Sequence, residues 1–397
     1  MTDAISFEVP WARIDKFDPP AVFASLREER PLAKMVFPDG HVGWIVSSYD
    51  LVREVLSDLR FSHSCEVGHF PVTHQGQVIP THPKIPGMFI HMDPPDHTRY
   101  RRLLTGEFTV ARTSRLTARV EALAAEQVDV MREHGAPADL VVNFARPLVL
   151  RVLAEMVGLP YDERDRYAHA PALFHDQDAD PAETAAAYEQ VGAFFDEVIE
   201  RKRKQPEDDL LSRLVADGQL TTEELRNLVT LLLFAGYETT ESALAVGVFA
   251  LLHHTDQLAA VRADPTKLNA TVEELLRYLT INQYETYRTA LEDVELHGEV
   301  IKKGDSVSVS LPAANRDPAR FGCPEKLDVD RDTSGHVAFG FGIHQCLGQN
   351  LARIELRVAL SALLQAFPDL RLAVAADDVP LRLRGSVFGV KNLPVSW

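Results

Sequence analysis

The chain is poor in cysteine, and this scarcity excludes the structures that depend on cysteine pairs. Only Cys65, Cys323 and Cys346 occur among 397 residues, and no Cys-x-x-Cys pair is present. A disulfide-rich extracellular domain or a multi-cysteine zinc site would need more thiols, at closer spacing. The cysteine usage therefore favours a reducing compartment.

Long apolar runs and excess positive charge are also missing. No run of about 18 apolar residues occurs, so no membrane-spanning helix is expected. Residues Met1–Pro10 lack the basic and apolar regions of a secretory signal. The formal net charge of −17 argues against nucleic acid or an anionic membrane as the main partner. A cytoplasmic protein is expected.

Neither repeats nor linkers divide the chain. No sequence period of roughly 20 to 50 residues is present, which excludes solenoids and propellers. No Pro/Ser/Gly-rich linker interrupts a composition that is 46% hydrophobic and 25% charged. We predict a single domain over residues 1–397.

Helical periodicity dominates, with short β-like segments near both ends, which predicts a mainly α protein with a small β region (α+β). Residues 62–95 are irregular and rich in Pro, Gly and His, and we interpret them as a lid over a pocket. The predicted helices include 49–56, 99–107, 111–133, 147–157, 181–204, 208–215, 221–253 and 268–279, and the predicted strands include 42–46, 294–296, 305–311, 370–374 and 382–394.

Cys346 lies in a glycine-rich stretch, Phe339–Gly348, directly before a helical run. Glycines let the backbone approach a flat partner, and a helix N-terminus stabilises a thiolate. One exposed thiolate with such clearance suits the axial position of a haem iron. A buried structural cysteine and a zinc site with His344 are rivals, and zinc fails on ligand count. A nucleophilic cysteine beside His344 stays open.

A second motif interrupts the apolar helix predicted over 221–253. Ala235 and Gly236 precede Tyr237, and an acidic residue, Glu238, then stands beside the hydroxyl of Thr239. A buried acid is costly unless it is paired or hydrated, and a mid-helix glycine costs helix stability. Both features suggest a packing or ligand role, although Glu238 on a solvent-facing side of the helix is the simpler alternative.

Further candidates carry charge at helical spacing. Glu274 and Arg277 are three residues apart and can pair on one helix face. His97 and Arg101 are four apart and also share a face. Taken singly, such groups are usually surface charges.

The order of these motifs resembles that of the cytochrome P-450 superfamily, specifically its actinobacterial class I members. The cysteine stretch fits Phe-x-x-Gly-x-His-x-Cys-x-Gly, and the helix fits the oxygen-binding Ala/Gly-Gly-x-Asp/Glu-Thr-Thr. The resemblance implies haem b bound between the 221–253 helix and the Cys346 loop and helix (339–366). It implies Cys346 as the iron ligand, Glu238 and Thr239 as the catalytic proton relay, and Glu274 and Arg277 as structural residues. The haem propionates would be held by His97, Arg101, Arg288 and His344, with His336 as a further candidate.

The implied function is a haem-thiolate monooxygenase that activates O₂. No flavin or reductase motif is present, so the two electrons are expected from a separate ferredoxin and ferredoxin reductase. A peroxide-using haem peroxygenase is the alternative, but it typically lacks the Glu238–Thr239 pair. A non-enzymatic haem sensor or carrier is a third hypothesis, and it would need neither relay nor lid.

The expected substrate is a small hydrophobic molecule, hydroxylated or epoxidised by a monomeric enzyme. By analogy it is a polyketide, macrolide or terpenoid secondary metabolite, or a xenobiotic. One departure from the family affects the pocket, because proline is missing soon after Arg277. The positions implied as pocket walls are Phe89, Ile90, Phe174, Leu233, Phe234, Tyr237, Asn282 and Phe388.

Overall fold

The computed structural model describes Arg13, residues 15–284 and residues 286–397, except the side chain of His175. The Met1–Pro10 segment therefore lies outside the described residues. Packing groups the chain into two compact units. The first contains the described residues up to Pro83, Val246–Leu347 and Pro380–Lys391, and the second contains Lys84–Ala245, Gly348–Val379 and Asn392–Trp397.

Helices make up most of the described chain. They are α1 (Val22–Glu29), α2 (Tyr49–Ser57), α3 (Asp96–Thr105), α4 (Val110–Thr113), α5 (Thr117–His134), α6 (Arg146–Val157), α7 (His169–His175), α8 (Pro181–Lys204), α9 (Leu210–Asp217), α10 (Thr222–His253), α11 (Thr255–Ala263), α12 (Leu268–Leu279), α13 (Leu311–Asn315) and α14 (Gln349–Ala366).

The strands are short. They are β1 (Leu32–Val36), β2 (Val42–Val46), β3 (Phe61–Ser62), β4 (Thr73–His74), β5 (Gln77–Val78), β6 (Ala138–Asp139), β7 (Tyr287–Ala290), β8 (Val294–Leu296), β9 (Glu299–Ile301), β10 (Ser306–Val309), β11 (Arg371–Leu372), β12 (Leu381–Arg382), β13 (Gly389–Val390) and β14 (Pro394–Ser396).

The first unit is built on a five-stranded sheet in the order β1-β2-β10-β7-β3. β10 runs parallel to β2, and the other neighbours are antiparallel. Its core includes Trp44, Val46, Val307 and Val309, the aromatic and β-branched side chains that favour strands. The sheet fixes β7, which carries the predicted haem-binding Arg288, beside β3.

In the second unit, α10 begins with the predicted capping box. The Glu224 backbone N–H donates to Thr221 Oγ1 at 3.2 Å, and the Thr221 N–H donates to Glu224 Oε2 at 2.8 Å. These bonds satisfy two donors that a helix start otherwise leaves open. The helix then continues as far as His253, as predicted.

One predicted helix is wrong in its continuity. The segment 111–133 is divided into α4, a 3-10 turn at Ser114–Leu116, and α5. Thr113 Oγ1 donates to the carbonyl of Thr109 at 2.9 Å. Side-chain hydroxyls that bond to nearby backbone compete with continuous helix, and apolar periodicity does not report this competition.

The predicted lid segment has little regular structure. Within residues 62–95 the structure contains only the hairpin β4–β5 and a 3-10 turn at Phe89–His91 beyond the end of β3. Among the described residues, no single helix is long and apolar enough to cross a membrane; one bent pair, α10 with α11, passes that test by length and composition only.

Candidate functional site

The cysteine loop in the first unit is closed by its own backbone. The Cys346 N–H donates to the Phe339 carbonyl at 2.9 Å, and the thiol is neither disulfide-bonded nor fully buried. Gly340 and Gly342 have φ values of +70° and +76°, which L side chains rarely adopt. The loop conformation therefore depends on glycine at both positions.

The glycines of this loop serve two different purposes. A Cβ atom on Gly342 would lie 2.2 Å from the carbonyl oxygen of Leu56 in α2, so this glycine permits close packing on protein. A Cβ atom on Gly340 or Gly348 would meet nothing within 4 Å. Only these two glycines keep the clearance that the sequence suggested for a flat partner.

Two predicted propionate partners, Arg288 and His344, lie in the first unit. Arg288, 3% exposed on β7, donates from Nη1 to the Tyr287 carbonyl at 2.7 Å. The ring of His63 lies 4.9 Å from the Tyr287 ring and 5.1 Å from the His344 ring, between centroids. His63 was not predicted as a site residue, because it belongs to no motif.

Glu274 and Arg277 form the predicted ion pair, and both side chains are fully buried, with Arg277 Nε 2.7 Å from Glu274 Oε2. Arg277 also donates to the carbonyls of Asn315, at 2.8 Å, and of Pro324, at 3.0 Å. A buried pair is tolerated when its remaining donors are satisfied in this way. The pair thus ties α12 to the segment after α13.

His336, the further candidate for binding a haem propionate, contacts a carboxylate of the protein. Its Nε2 lies 2.9 Å from Glu273 Oε2.

In the middle of α10, in the second unit, a few residues are accessible on an otherwise largely buried helix. Ala235 is exposed and Thr239 is half-buried, although Leu233 and Glu238 are buried. Thr239 Oγ1 donates to the Ala235 carbonyl at 2.6 Å. A Cβ on Gly236 would lie 2.9 Å from Leu153 Cδ2, which supplies the packing reason expected for a mid-helix glycine.

A second buried carboxylate accompanies Glu238. Glu241 is 4% exposed and accepts a hydrogen bond from Arg146 Nε at 3.0 Å. Burial raises the pKa of Tyr237, and the negative charges of Glu241 and Glu238 raise it further. Local sequence reasoning missed this charged group, because Arg146 and Glu241 are 95 residues apart.

The other two predicted propionate partners lie on α3, in the second unit. His97 is 3% exposed and Arg101 is half-buried. The Phe89 ring centroid lies 5.9 Å from that of His97. The end of the lid segment is therefore packed on the helix that carries these two residues.

The predicted pocket residues are divided between the units. In the first unit, Asn282 bridges to Val387, and the Phe388 N–H donates to Ile281 O at 2.7 Å. Phe388 is fully buried beneath the Arg13 guanidinium, whose Cζ is 3.7 Å from the ring centroid. The second unit contains the remaining six, namely Phe89 and Ile90 in a 3-10 turn, Phe174 on α7, and Leu233, Phe234 and Tyr237 on α10.

Aromatic side chains from three helices meet around Phe234. The Phe234 ring lies 5.5 Å from that of Phe174 and 5.6 Å from that of Tyr188 on α8, both in edge-on geometry. Edge-to-face contacts between aromatic rings stabilise the fold by more than the burial of their apolar surface alone.

Comparison with known proteins identifies the family. The cytochrome P450 family model matches residues 161–396. Cytochrome P450 105C1 from a Streptomyces species is 44% identical over 398 residues, with complete coverage of both chains. Cytochrome P450 monooxygenase PikC of Streptomyces venezuelae is 41% identical, over 96% of this chain and 91% of PikC. The crystal structure of the LnmA P450 hydroxylase, from the leinamycin biosynthetic pathway of Streptomyces atroolivaceus, has a TM-score of 0.88 at 39% identity, covering 98% and 99% of the two chains.

The chain belongs to the cytochrome P450 family. It has the mainly α P450 fold with a small β region, and its enzyme class is that of a P450 monooxygenase. The family's cofactor is a haem iron. The chain fits this group: the Cys346 loop offers one accessible thiol, Gly340 leaves clearance beside it, and Arg288 and His344 supply nitrogen donors for carboxylates.

Proposed function

We propose that the protein is a haem-thiolate monooxygenase of secondary metabolism. It activates O₂ with two electrons that a separate ferredoxin and its reductase supply. The product is a small hydrophobic molecule that has been hydroxylated or epoxidised. The observation that carries this proposal is the glycine-shaped, partly accessible Cys346 loop in a chain of this family. The candidate substrates are a polyketide, a macrolide, a terpenoid or a xenobiotic. A secondary metabolite is supported by a similar protein, a P450 hydroxylase from the leinamycin biosynthetic pathway.

In this proposal Cys346 would supply the thiolate ligand of the haem b iron. The haem carboxylates would accept charge-assisted hydrogen bonds from the N–H groups of four side chains, namely His97, Arg101, Arg288 and His344. When bound, the haem supplies the oxygen-activating chemistry, which thiolate ligation favours. The protein contributes orientation, exclusion of water and control of protons.

Glu238 and Thr239 deliver the protons that the reaction of O₂ consumes. Thr239 Oγ1 now donates its hydrogen to Ala235 O, so its lone pairs are available to accept a second hydrogen bond. Rotation of this hydroxyl would release the hydrogen for a bound ligand. Glu238, 3% exposed and adjacent in the helix, accepts a proton from solvent and passes it on from its carboxyl oxygen.

Replacement of Cys346 tests the ligand. Cys346→Ser should abolish the red-shifted Soret band that thiolate ligation gives the reduced carbonyl complex, whereas Cys323→Ser, at an exposed free cysteine, should leave the band unchanged. Persistence of the band in Cys346→Ser would show that another residue ligates the iron.

Replacement of Thr239 tests the proton relay. Thr239→Ala should lower the product formed per O₂ consumed about tenfold, with the missing reducing equivalents appearing as peroxide. Thr240→Ala is the matched control, because Thr240 is the neighbouring threonine and is 7% exposed. If Thr239→Ala formed as much product per O₂ consumed as the parent, the relay would be refuted. If the parent turned over equally fast with hydrogen peroxide in place of O₂ and the electron donors, a peroxygenase would be favoured.

A spectral screen addresses the substrate. Candidate macrolides, terpenoids and xenobiotics would be titrated into the ferric protein, and binding would be followed by the spin-state shift of the haem absorption. Compounds that cause the shift would then be tested for oxidation with ferredoxin and reductase.

A further inference from the structure

His63 lies beside the predicted carboxylate-binding residues of the first unit although no motif includes it. It follows β3 directly, at the start of the lid segment. β3 pairs antiparallel with β7, with Phe61 opposite Ala290 and Ser62 opposite Thr289. Continued by one residue, this register sets His63 opposite Arg288. Directly opposed residues of an antiparallel pair project on the same face, about 5 Å apart.

The ring contacts add that His63 lies beside the cysteine loop. The His63 ring meets the Tyr287 ring at 4.9 Å and the His344 ring at 5.1 Å, with interplanar angles of 60° and 72°. Tyr287 is 2% exposed, so one side of the imidazole is held against a fixed wall. The contacts with Tyr287 and His344 together restrict the orientation of the His63 ring and so the position of its nitrogens.

The continued register sets His63 opposite Arg288 and the ring contact sets it beside His344, so His63 stands next to two other nitrogen-bearing side chains of the first unit. Arg288 comes from β7, His344 from the cysteine loop and His63 from the end of β3. Each can donate N–H hydrogen bonds, and Arg288 carries a permanent positive charge at 3% exposure. Such a cluster suits an anion with several acceptor oxygens, because a charged N–H donor and a carboxylate form a strong, charge-assisted hydrogen bond.

We propose that His63 donates a hydrogen bond to the haem carboxylate that Arg288 and His344 also bind. This inference rests on the proposed haem-binding function and adds a binding residue to it. It also connects the predicted lid with haem binding, because His63 lies at the start of the irregular segment 62–95. The first residues of the lid are then anchored by the cofactor as well as by β3.

Haem transfer to excess apomyoglobin tests this role without any turnover. His63→Phe keeps a ring against Tyr287 and His344 but removes the N–H donors, and it should release haem about tenfold faster than the parent protein, as expected for one lost hydrogen bond to a charged group. His63→Gln retains a side-chain N–H and should restore most of the slow release. His82→Phe, in the same segment, is the control, because its Nδ1 lies 2.9 Å from the neighbouring Pro83 carbonyl.

A double-mutant cycle distinguishes a shared carboxylate from independent effects. His63→Phe and His344→Phe should be non-additive if both residues bind one carboxylate, since they then act in a single network. Haem release from His63→Phe at the parental rate would overturn the inference. That result differs from failure of the proposed function, in which the parent protein supplied with haem would show no thiolate-ligated haem spectrum.

Amide hydrogen exchange gives the second readout. In the parent protein, addition of haem should slow exchange in residues 63–83, and His63→Phe should lose much of this protection. Protection that is unchanged in His63→Phe would show that the haem does not anchor the lid through this residue.

Discussion

Glu355 is a buried acid for which the haem chemistry provides no role. It lies on α14, which packs on α5 in the second unit, and it is 2% exposed. Its Oε2 atom has no hydrogen-bond partner among the described residues. Burial raises the pKa of this carboxyl well above its ordinary value. The folded chain therefore retains this proton at pH values where the unfolded chain has released it, so stability falls as pH rises above about 4.3, the unfolded value.

Glu355→Gln should remove this pH-dependent loss. The amide has nearly the same shape and carries no charge, so the variant should gain stability over the parent by a few degrees in Tm at pH 8. At pH 4 the carboxyl of Glu355 is neutral in the folded state and mostly neutral in the unfolded state, so the gain should be close to zero. Thermal unfolding at the two pH values measures the difference, with exposed Glu121→Gln on α5 as the control. A variant-minus-parent difference that does not change with pH would contradict the assignment.

The C-terminal end of the predicted lid, residues 84–91, contacts the first two turns of α10. The side-chain amide of Asn227 donates to the Pro86 carbonyl at 2.9 Å. Gly87 has φ +89°, and a Cβ atom there would lie 2.5 Å from the Glu224 carbonyl oxygen. Only glycine allows both this backbone conformation and this close approach. This end of the predicted lid is therefore packed on α10.

Gly87→Ala should detach this end of the lid. The added methyl group must move backbone, so we expect faster amide exchange and faster proteolysis within residues 84–91, and weaker substrate-induced spectral shifts. Gly76→Ala is the matched control: Gly76 also has a positive φ, +75°, but its Cβ would meet nothing within 4 Å. Equal effects of the two substitutions would show that backbone strain, and not the contact with α10, is responsible.

Sequence patterns predicted elements whose determinants are local. The capping box of α10 lies within four consecutive residues, and α8 and α12 match their predicted bounds. The break between α4 and α5 was missed, because threonine hydroxyls compete with the helical backbone there. Short α7 was also missed, since its seven residues give little periodicity.

The same distinction applies at the scale of the whole molecule. Motifs predicted Cys346 and the Glu238–Thr239 pair because the family's chemistry requires those residue types at short spacing. The contact of His63 with His344 and the ion pair of Arg146 with Glu241 join distant segments and follow no motif. Such partners are determined by tertiary packing, which one sequence does not reveal.

Charge also acts on the whole molecule, through the many carboxylates behind the net charge of −17. Arg60 holds the pKa of Asp58 below its ordinary value by hydrogen bonding, and Arg119 does the same for Glu155. Burial would raise the pKa of Glu224, but hydrogen bonds from Arg99 and Tyr100 outweigh it and lower the pKa to about 2. A carboxyl with a lowered folded pKa adds stability above its unfolded pKa, and this stability is lost as pH falls through the folded value.

The protein should consequently lose stability in acid, with Glu224 contributing at the lowest pH. The contribution of these carboxyls to Tm should change little between pH 7 and 5, because they are then ionised in both states, and it should fall below about pH 4.5 as the unfolded chain takes up protons first. Glu224→Gln, which cannot ionise, should be less stable than the parent at pH 7, and the gap should narrow between about pH 4 and pH 2 as the parent loses the same charge. Far-ultraviolet circular dichroism melts of both proteins measure this gap, and exposed Glu223→Gln, the adjacent residue, should show no gap. A gap between Glu224→Gln and the parent that stays constant down to pH 2 would mean that the contacts of Glu224 with Arg99 and Tyr100 do not stabilise the fold through its charge.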